Sequence, residues 1–285
     1  MLNKSGNIQN FLGCDAPYDA AKIVIFGAPY DSTTSNRPGA RFAPVAMRND
    51  SYGLETYSPY QNLDMEDIAV YDAGELELPF GRPQSALSMI EAVTTQILED
   101  GKIPVMVGGE HLVTLGAIRA CAARFADLRI IHLDAHADLR DEYLGEAFSH
   151  ATVLRRCHDI LGDGRIFQFG IRSGTKEEFA WAKSHVKLQK FSLDGLGGIA
   201  EIIGDNPVYF TLDLDIIDPA AFPGTGTPEA GGITFSELLP AIISLKQLNV
   251  VGCDIVELAP NLDTTGVSTA LACKILRELL LSIHK

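Results

Sequence analysis

The chain has 285 residues, 46% of them hydrophobic, enough to bury a sizeable α/β core, and no linker-like tract divides it, so a single domain over 1–285 is expected. Its net charge of −14 argues against a nucleic-acid partner, which would need a basic patch, and suits metal ions or a cationic substrate. No apolar stretch reaches the roughly 18 residues of a membrane span, MLNKSGNIQNFLG lacks the regions of a leader, and the odd, scattered Cys14, Cys121, Cys157, Cys253 and Cys273 do not read as a disulfide framework, so a cytoplasmic protein without a membrane partner is expected.

Strand-like apolar runs follow one another at 21–27, 67–74, 102–109, 127–136, 164–170, 185–191, 206–215 and 248–258. Helical patterns separate most of them. The first carries Leu87, Ile90, Val93 and Ile97 and ends at Gly101; others cover 112–124, 150–161, 175–184 and 235–246, and Leu271, Ile275, Leu276 and Leu279 mark a last amphipathic helix. The stretches 29–66 and 216–233, rich in Pro and Gly, read as shaped loops. Alternating β and α with near-continuous apolar strands predicts a mostly parallel sheet covered on both faces, with ligands outside the strand C-terminal ends.

Three short motifs fall at such ends: GGEH at 108–111, DAHAD at 134–138 and DLD at 213–215. In an extended chain every second side chain shares a face, so Asp134, His136 and Asp138 should project together, as should Asp213 and Asp215. Any one such motif is commonly a loop cap. Three of them after buried strands are different, because clustered carboxylates raise one another's pKa unless cations are present. Mixed carboxylate and imidazole ligands suit Mn, Fe, Ni, Co or Zn more than Ca or Cu(I). His132, inside a strand, reads as a packed core histidine; His158, His185 and His284 read as surface or helix residues; Asp218, before Pro219, reads as the start of a turn. Arg37 and Arg41 read as packing loops or supporting subunit contacts.

These motifs, with GAPYDSTTSNRPGARFAP (27–44), SHAT (149–152), DLDIIDPAAFPGTGTPEAGG (213–232) and DIVELAPNLD (254–263) in that order, resemble the ureohydrolases, the family that includes arginase and agmatinase. The resemblance implies an arginase-like three-layer α/β/α fold with an eight-stranded parallel sheet and two Mn2+ per subunit. His111, Asp134, Asp138 and Asp213 look like the ligands of one ion, and Asp134, His136, Asp213 and Asp215 like those of the other. Water activated between the two ions would attack a guanidinium carbon. Asp138 resembles the residue that relays the proton, His150 the histidine that acts as general acid or shuttle, and Glu257 the glutamate that grips the guanidinium. The loop Phe222 to Gly232 resembles one lining the site. Glu110 stands where many relatives have Asp, and Ala151 where many have Gly.

The segment LRDEYLGEAFSH (139–150) lacks the Asn by which arginases hold an α-amino acid and resembles agmatinase, implying hydrolysis of agmatine to putrescine and urea. Asp141, Glu142 and Glu146 could attract a cationic tail, although a solvated rim is the simpler reading. Arg140 keeps a carboxylate-bearing substrate such as guanidinobutyrate in play. The resemblance also implies a homo-oligomer, a trimer or hexamer.

Overall fold

Eight strands pair into one sheet in which every pairing is parallel. The computed structural model describes residues 9–284; residues 1–8, part of the segment read for a leader, lie outside it. In chain order the elements are β1 (Ile23–Ala28), α1 (Ala43–Ser51), β2 (Tyr57–Ser58), β3 (Leu63–Asp64), β4 (Val70–Glu75), α2 (Pro83–Glu99), β5 (Ile103–Gly108), α3 (Thr114–Arg124) and β6 (Arg129–Leu133). They continue as α4 (Val153–Leu161), β7 (Ile166–Ile171), α5 (Lys176–His185), β8 (Lys187–Lys190), α6 (Ile199–Ile203), β9 (Pro207–Asp213), α7 (Phe235–Ser244), β10 (Asn249–Val256) and α8 (Val267–Ile283).

The sheet order is β4-β1-β5-β10-β9-β6-β7-β8, with β2 and β3 forming a separate small hairpin. Strands β1 and β7 are buried at every position, as expected where helices cover both faces. Two apolar clusters fill the two sides. One packs Met47 of α1, Ile199 of α6, Leu238 of α7 and Leu276 of α8 against the sheet. The other packs Leu87 of α2, Ile118 of α3, Leu154 of α4 and Ala182 of α5. The fold is thus the expected three-layer α/β/α arrangement. The edge strand β8 carries a lysine at each end, which discourages further strand pairing.

All eight expected strands are present, but those that lead into the motifs, β6, β9 and β10, end two or three residues earlier than their apolar runs suggested. β6 stops at Leu133 and β9 at Asp213, so the residues that follow are not held by strand periodicity. The stretch 29–66 is more than a loop, since it contains α1 and the β2–β3 hairpin, and α6 is a further helix the apolar pattern did not mark. All five cysteines are buried and free. No helix among the described residues is long and apolar enough to cross a membrane.

Candidate metal centre

Strands β5, β10, β9 and β6 are neighbours at the middle of the sheet, and because they are parallel their C-terminal ends open on one edge. His111, Glu257, Asp213 with Asp215, and Asp134 to Asp138 follow those four strands. The topology therefore gathers residues more than a hundred positions apart. His111 Nδ1 lies 3.1 Å from Asp134 Oδ2 and 3.3 Å from both Asp138 Oδ2 and Asp213 Oδ2. His136 Nδ1 lies 2.8 Å from Asp215 Oδ2 and 3.5 Å from Asp134 Oδ1. His111 thus gathers Asp134, Asp138 and Asp213, and His136 gathers Asp134 and Asp215.

Local geometry, not strand alternation, aims these side chains. Asp138 has φ 53° and Glu257 φ 67°, left-handed conformations that only a supporting framework maintains in residues with a Cβ. The Asp138 carbonyl accepts the N–H groups of Leu154 and Arg155 in the first turn of α4, and that capping holds the bend. Asp213 turns its Oδ1 onto the N–H of Asp215 at 2.8 Å, and Asp134 Oδ1 accepts the N–H of His136 at 2.5 Å. Asp215 Oδ1 in turn accepts the Ala135 N–H at 3.1 Å, lacing the two acidic loops together. Gly109, before the His111 turn, lets the chain pass close to the segment after β1, since a Cβ there would meet the Tyr30 carbonyl oxygen at 1.9 Å.

The donor chemistry fits divalent cations. Thr211 donates to Asp254 Oδ1, so the Thr211 hydroxyl oxygen is left to accept from His111 Nε2 at 3.0 Å. That tautomer leaves Nδ1 as a lone pair directed among carboxylate oxygens, and Nδ1 has no hydrogen-bond partner. Asp215 Oδ2 is also buried without one, since His136 Nδ1, 2.8 Å away, is not aligned to donate to it. Separations near 3 Å are what neighbouring ligands about 2.1 Å from a shared octahedral ion would have. Burial disfavours charge on all these groups, and the responses diverge: burial, Asp215 and Asp134 push Asp213 well up, whereas His132, His111 and His136 hold Asp134 well down despite its burial. Bound cations would satisfy these acceptors together.

A polar row that sequence reasoning missed lies one residue layer beneath the acidic loops. Gln168 of β7, His132 of β6, Thr211 of β9 and Asp254 of β10 are successive register partners across the sheet. Gln168 Nε2 donates to His132 Nδ1 at 2.9 Å, and His132 Nε2 donates to Asp134 Oδ2 at 2.8 Å. His132 is buried, as a core histidine should be, yet it is also a direct partner of a candidate ligand. The available signal was its position two residues before Asp134, which Thr211 shares with respect to Asp213.

A cleft of about 210 Å³ opens beside the acidic loops, with His136, Asp138, Arg140, Tyr143, His150 and Glu178 in its wall. His150 begins a short helical turn capped by Ser149 and Thr152, and its Nε2 lies 3.0 Å from Ser35 Oγ. Burial and the neighbouring His136 and His111 push His150 down to about 4. Its own N–H donates to Thr33 Oγ1, whose hydroxyl donates to Glu110 Oε1 at 2.6 Å. Glu110 also accepts the Thr33 N–H and the Thr34 hydroxyl, so the residue that departs from the common Asp anchors the loop facing His150. Glu257 is not in the cleft wall; it is buried, with Oε1 accepting the His111 N–H at 2.8 Å.

Other expected residues make contacts within the chain. Arg37 donates to the carbonyls of Thr225 and Gly226, and Arg41 pairs with Asp31, so both pack loops. Asp218 accepts the N–H groups of Ala220, Gly231 and Gly232, closing the loop after β9.

The arginase family model matches residues 21–282. The chain is 46% identical to an agmatinase of Bacillus subtilis, with 96% of each protein covered, and 45% identical to one of Bacillus anthracis, with 95% of each covered. Among solved structures, a putative agmatinase from Clostridium difficile superposes with a TM-score of 0.92 at 50% identity, covering 94% of this chain and 99% of that one.

Proposed function

Because this chain belongs to the arginase family, we propose that it is a two-manganese ureohydrolase that cleaves agmatine to putrescine and urea. The convergence of His111 and His136 with Asp134, Asp138, Asp213 and Asp215 at one sheet edge carries this reading. His111, Asp134, Asp138 and Asp213 would hold one ion; Asp134, His136, Asp213 and Asp215 would hold the other. Two divalent ions, when bound, supply the Lewis acidity that makes water a competent nucleophile near neutral pH.

The chain's own side chains do the rest. Glu257, outside the cleft wall and with one oxygen occupied by the His111 N–H, would have to turn its other oxygen to a planar guanidinium drawn in past the acidic loops to fix the carbon under attack. As water adds to that carbon, a carboxylate must take its proton and return it to the departing amine. Asp138 suits the task, because it stands in the cleft wall beside the ligand cluster, with its Oδ2 3.3 Å from His111 Nδ1. The C–N bond to the alkyl chain then breaks, urea forms, and the amine leaves with the proton. His150, in the cleft wall with Nε2 3.0 Å from Ser35 Oγ, would relay protons between the cleft and solvent.

The net charge of −14 and the agmatinases at 45–46% identity support a cationic tail. One observation favours a second reading: Arg140 stands in the cleft wall, where it could receive the carboxylate of a guanidino acid. It stacks over Tyr143 at 4.8 Å and lies 3.7 Å from Glu178, which already offsets part of its charge. Manganese-loaded protein should release urea faster from agmatine than from arginine or guanidinobutyrate at equal concentration. The reverse order would remove agmatine and leave the family. Asp215→Ala should lose both bound manganese and turnover; full turnover without the second ion would contradict the two-ion reading.

A further inference from the structure

Away from the centre, two imidazoles and a carboxylate meet on the surface. His158 lies on α4, Asp163 in the turn that follows, and His185 at the last residue of α5. His158 Nε2 is 2.8 Å and His185 Nδ1 2.6 Å from the same oxygen, Asp163 Oδ1. None of these residues takes part in the chemistry of the acidic centre.

The group is held in place from two directions. Asp163 sits between Gly162 and Gly164, both with positive φ, and their N–H groups donate to the carbonyls of His158 and His185, each at 2.8 Å. The backbones of all three residues are therefore tied to one another. The rings are fixed as well: Trp181 stacks on His185 at 4.2 Å and 20° and meets His158 edge-on at 4.7 Å. A site whose ligands are already oriented gives up little side-chain freedom on binding.

We propose that His158, Asp163 and His185 form a second metal site, which takes a divalent transition-metal ion of the Zn2+ or Ni2+ class. Two nitrogens and one carboxylate oxygen suit those ions, while Ca2+ and Mg2+ demand oxygen shells. The Asp163 side chain is 66% exposed, so water can complete the coordination. An ion there replaces the ring protons now shared with Asp163 and clips the ends of two helices together. The placement is consequential. α4 grows out of the His150 turn, and Thr175 and Glu178 at the start of α5 line the cleft. Both helices thus run from the cleft to the clip, a span of roughly 14 Å at 1.5 Å per residue.

Trp181 is the only tryptophan of the chain and stacks directly on a proposed ligand, so it reports the site. Ni2+ titrated into manganese-loaded protein should cause a saturable loss of Trp181 emission, with dialysis and elemental analysis finding one extra ion per chain. Zn2+, which has a filled d shell, should compete with Ni2+ and restore the emission. Asp163→Asn and His185→Asn should each weaken Ni2+ binding by about tenfold or more. Asp163→Asn leaves both rings and the Trp181 stack intact, so it tests the site even if His185→Asn disturbs folding, which circular dichroism would register. No saturable emission loss, or the same loss in Asp163→Asn, would overturn the proposal and leave a hydrogen-bonded cluster.

Discussion

His132 and Thr211 each precede a candidate ligand aspartate by two residues, on adjacent strands, and face each other in register. Each side chain supports the site from within the sheet, His132 through its bond to Asp134 and Thr211 through its bond to His111. For His132 the support has a defined polarity. Gln168 donates to Nδ1, which places the ring proton on Nε2 and directs it at Asp134. Gln168→Leu removes that choice of tautomer, and His132→Phe removes the bond to Asp134. Both should weaken manganese binding by about ten- to a hundredfold while leaving the far-ultraviolet dichroism unchanged. Competition with a fluorescent chelator measures it, and wild-type affinity in both variants would reduce the row to packing. That these Asp and His would gather was legible, because several such residues after buried strands are costly to bury unless a cation binds there. The row beneath was not, since a lone His, Thr or Gln in a strand is ordinarily core or ladder.

At the level of elements, apolar periodicity revealed every strand of the main sheet but not α1. The buried face of α1 explains the failure: alongside Ala43, Pro44 and Met47 it buries Arg48 and Ser51. A helix that buries a guanidinium shows no apolar stripe. Arg48 is accommodated because Asp72 of β4 meets it with two bonds of 2.8 and 2.9 Å, Glu75 adds a third at 3.0 Å, and the Gly74 carbonyl a fourth. Asp72 also accepts the Phe11 N–H, so this cluster joins α1, β4 and the N-terminal segment. Asp72→Ala strands a buried cation and should cost about 3–5 kcal/mol. Replacing both partners, Arg48→Met with Asp72→Ala, should cost less than the single change. Denaturant midpoints decide this, and a double variant weaker by the sum of its parts would mean that the pair is not coupled.

Across the whole molecule, one edge of the sheet concentrates acidic groups that the fold itself does not neutralise. The loops after β6 and β9 bury Asp134, Asp138, Asp213 and Asp215 together, and Glu257 after β10 adds another carboxyl. Parallel topology explains why the fold class was readable: alternating apolar runs and helices allow few other arrangements, and they direct the polar ends to one side. The substrate's tail was not readable, because it depends on how Arg140, Tyr143 and Glu178 stand in the cleft, and no periodicity encodes that. Stability should follow from the same concentration of charge. Ions that bind only the folded chain stabilise it by mass action, about 2.7 kcal/mol for a site at a hundred times its Kd. Chelation should therefore lower the thermal midpoint, and added Mn2+ should restore it. In Asp215→Ala, with one acceptor fewer to neutralise, the midpoint should depend less on Mn2+. A midpoint indifferent to chelation would show that the folded edge tolerates its carboxylates through shared protons, and the cation requirement inferred from the His111 and Asp215 orphan atoms would fall with it.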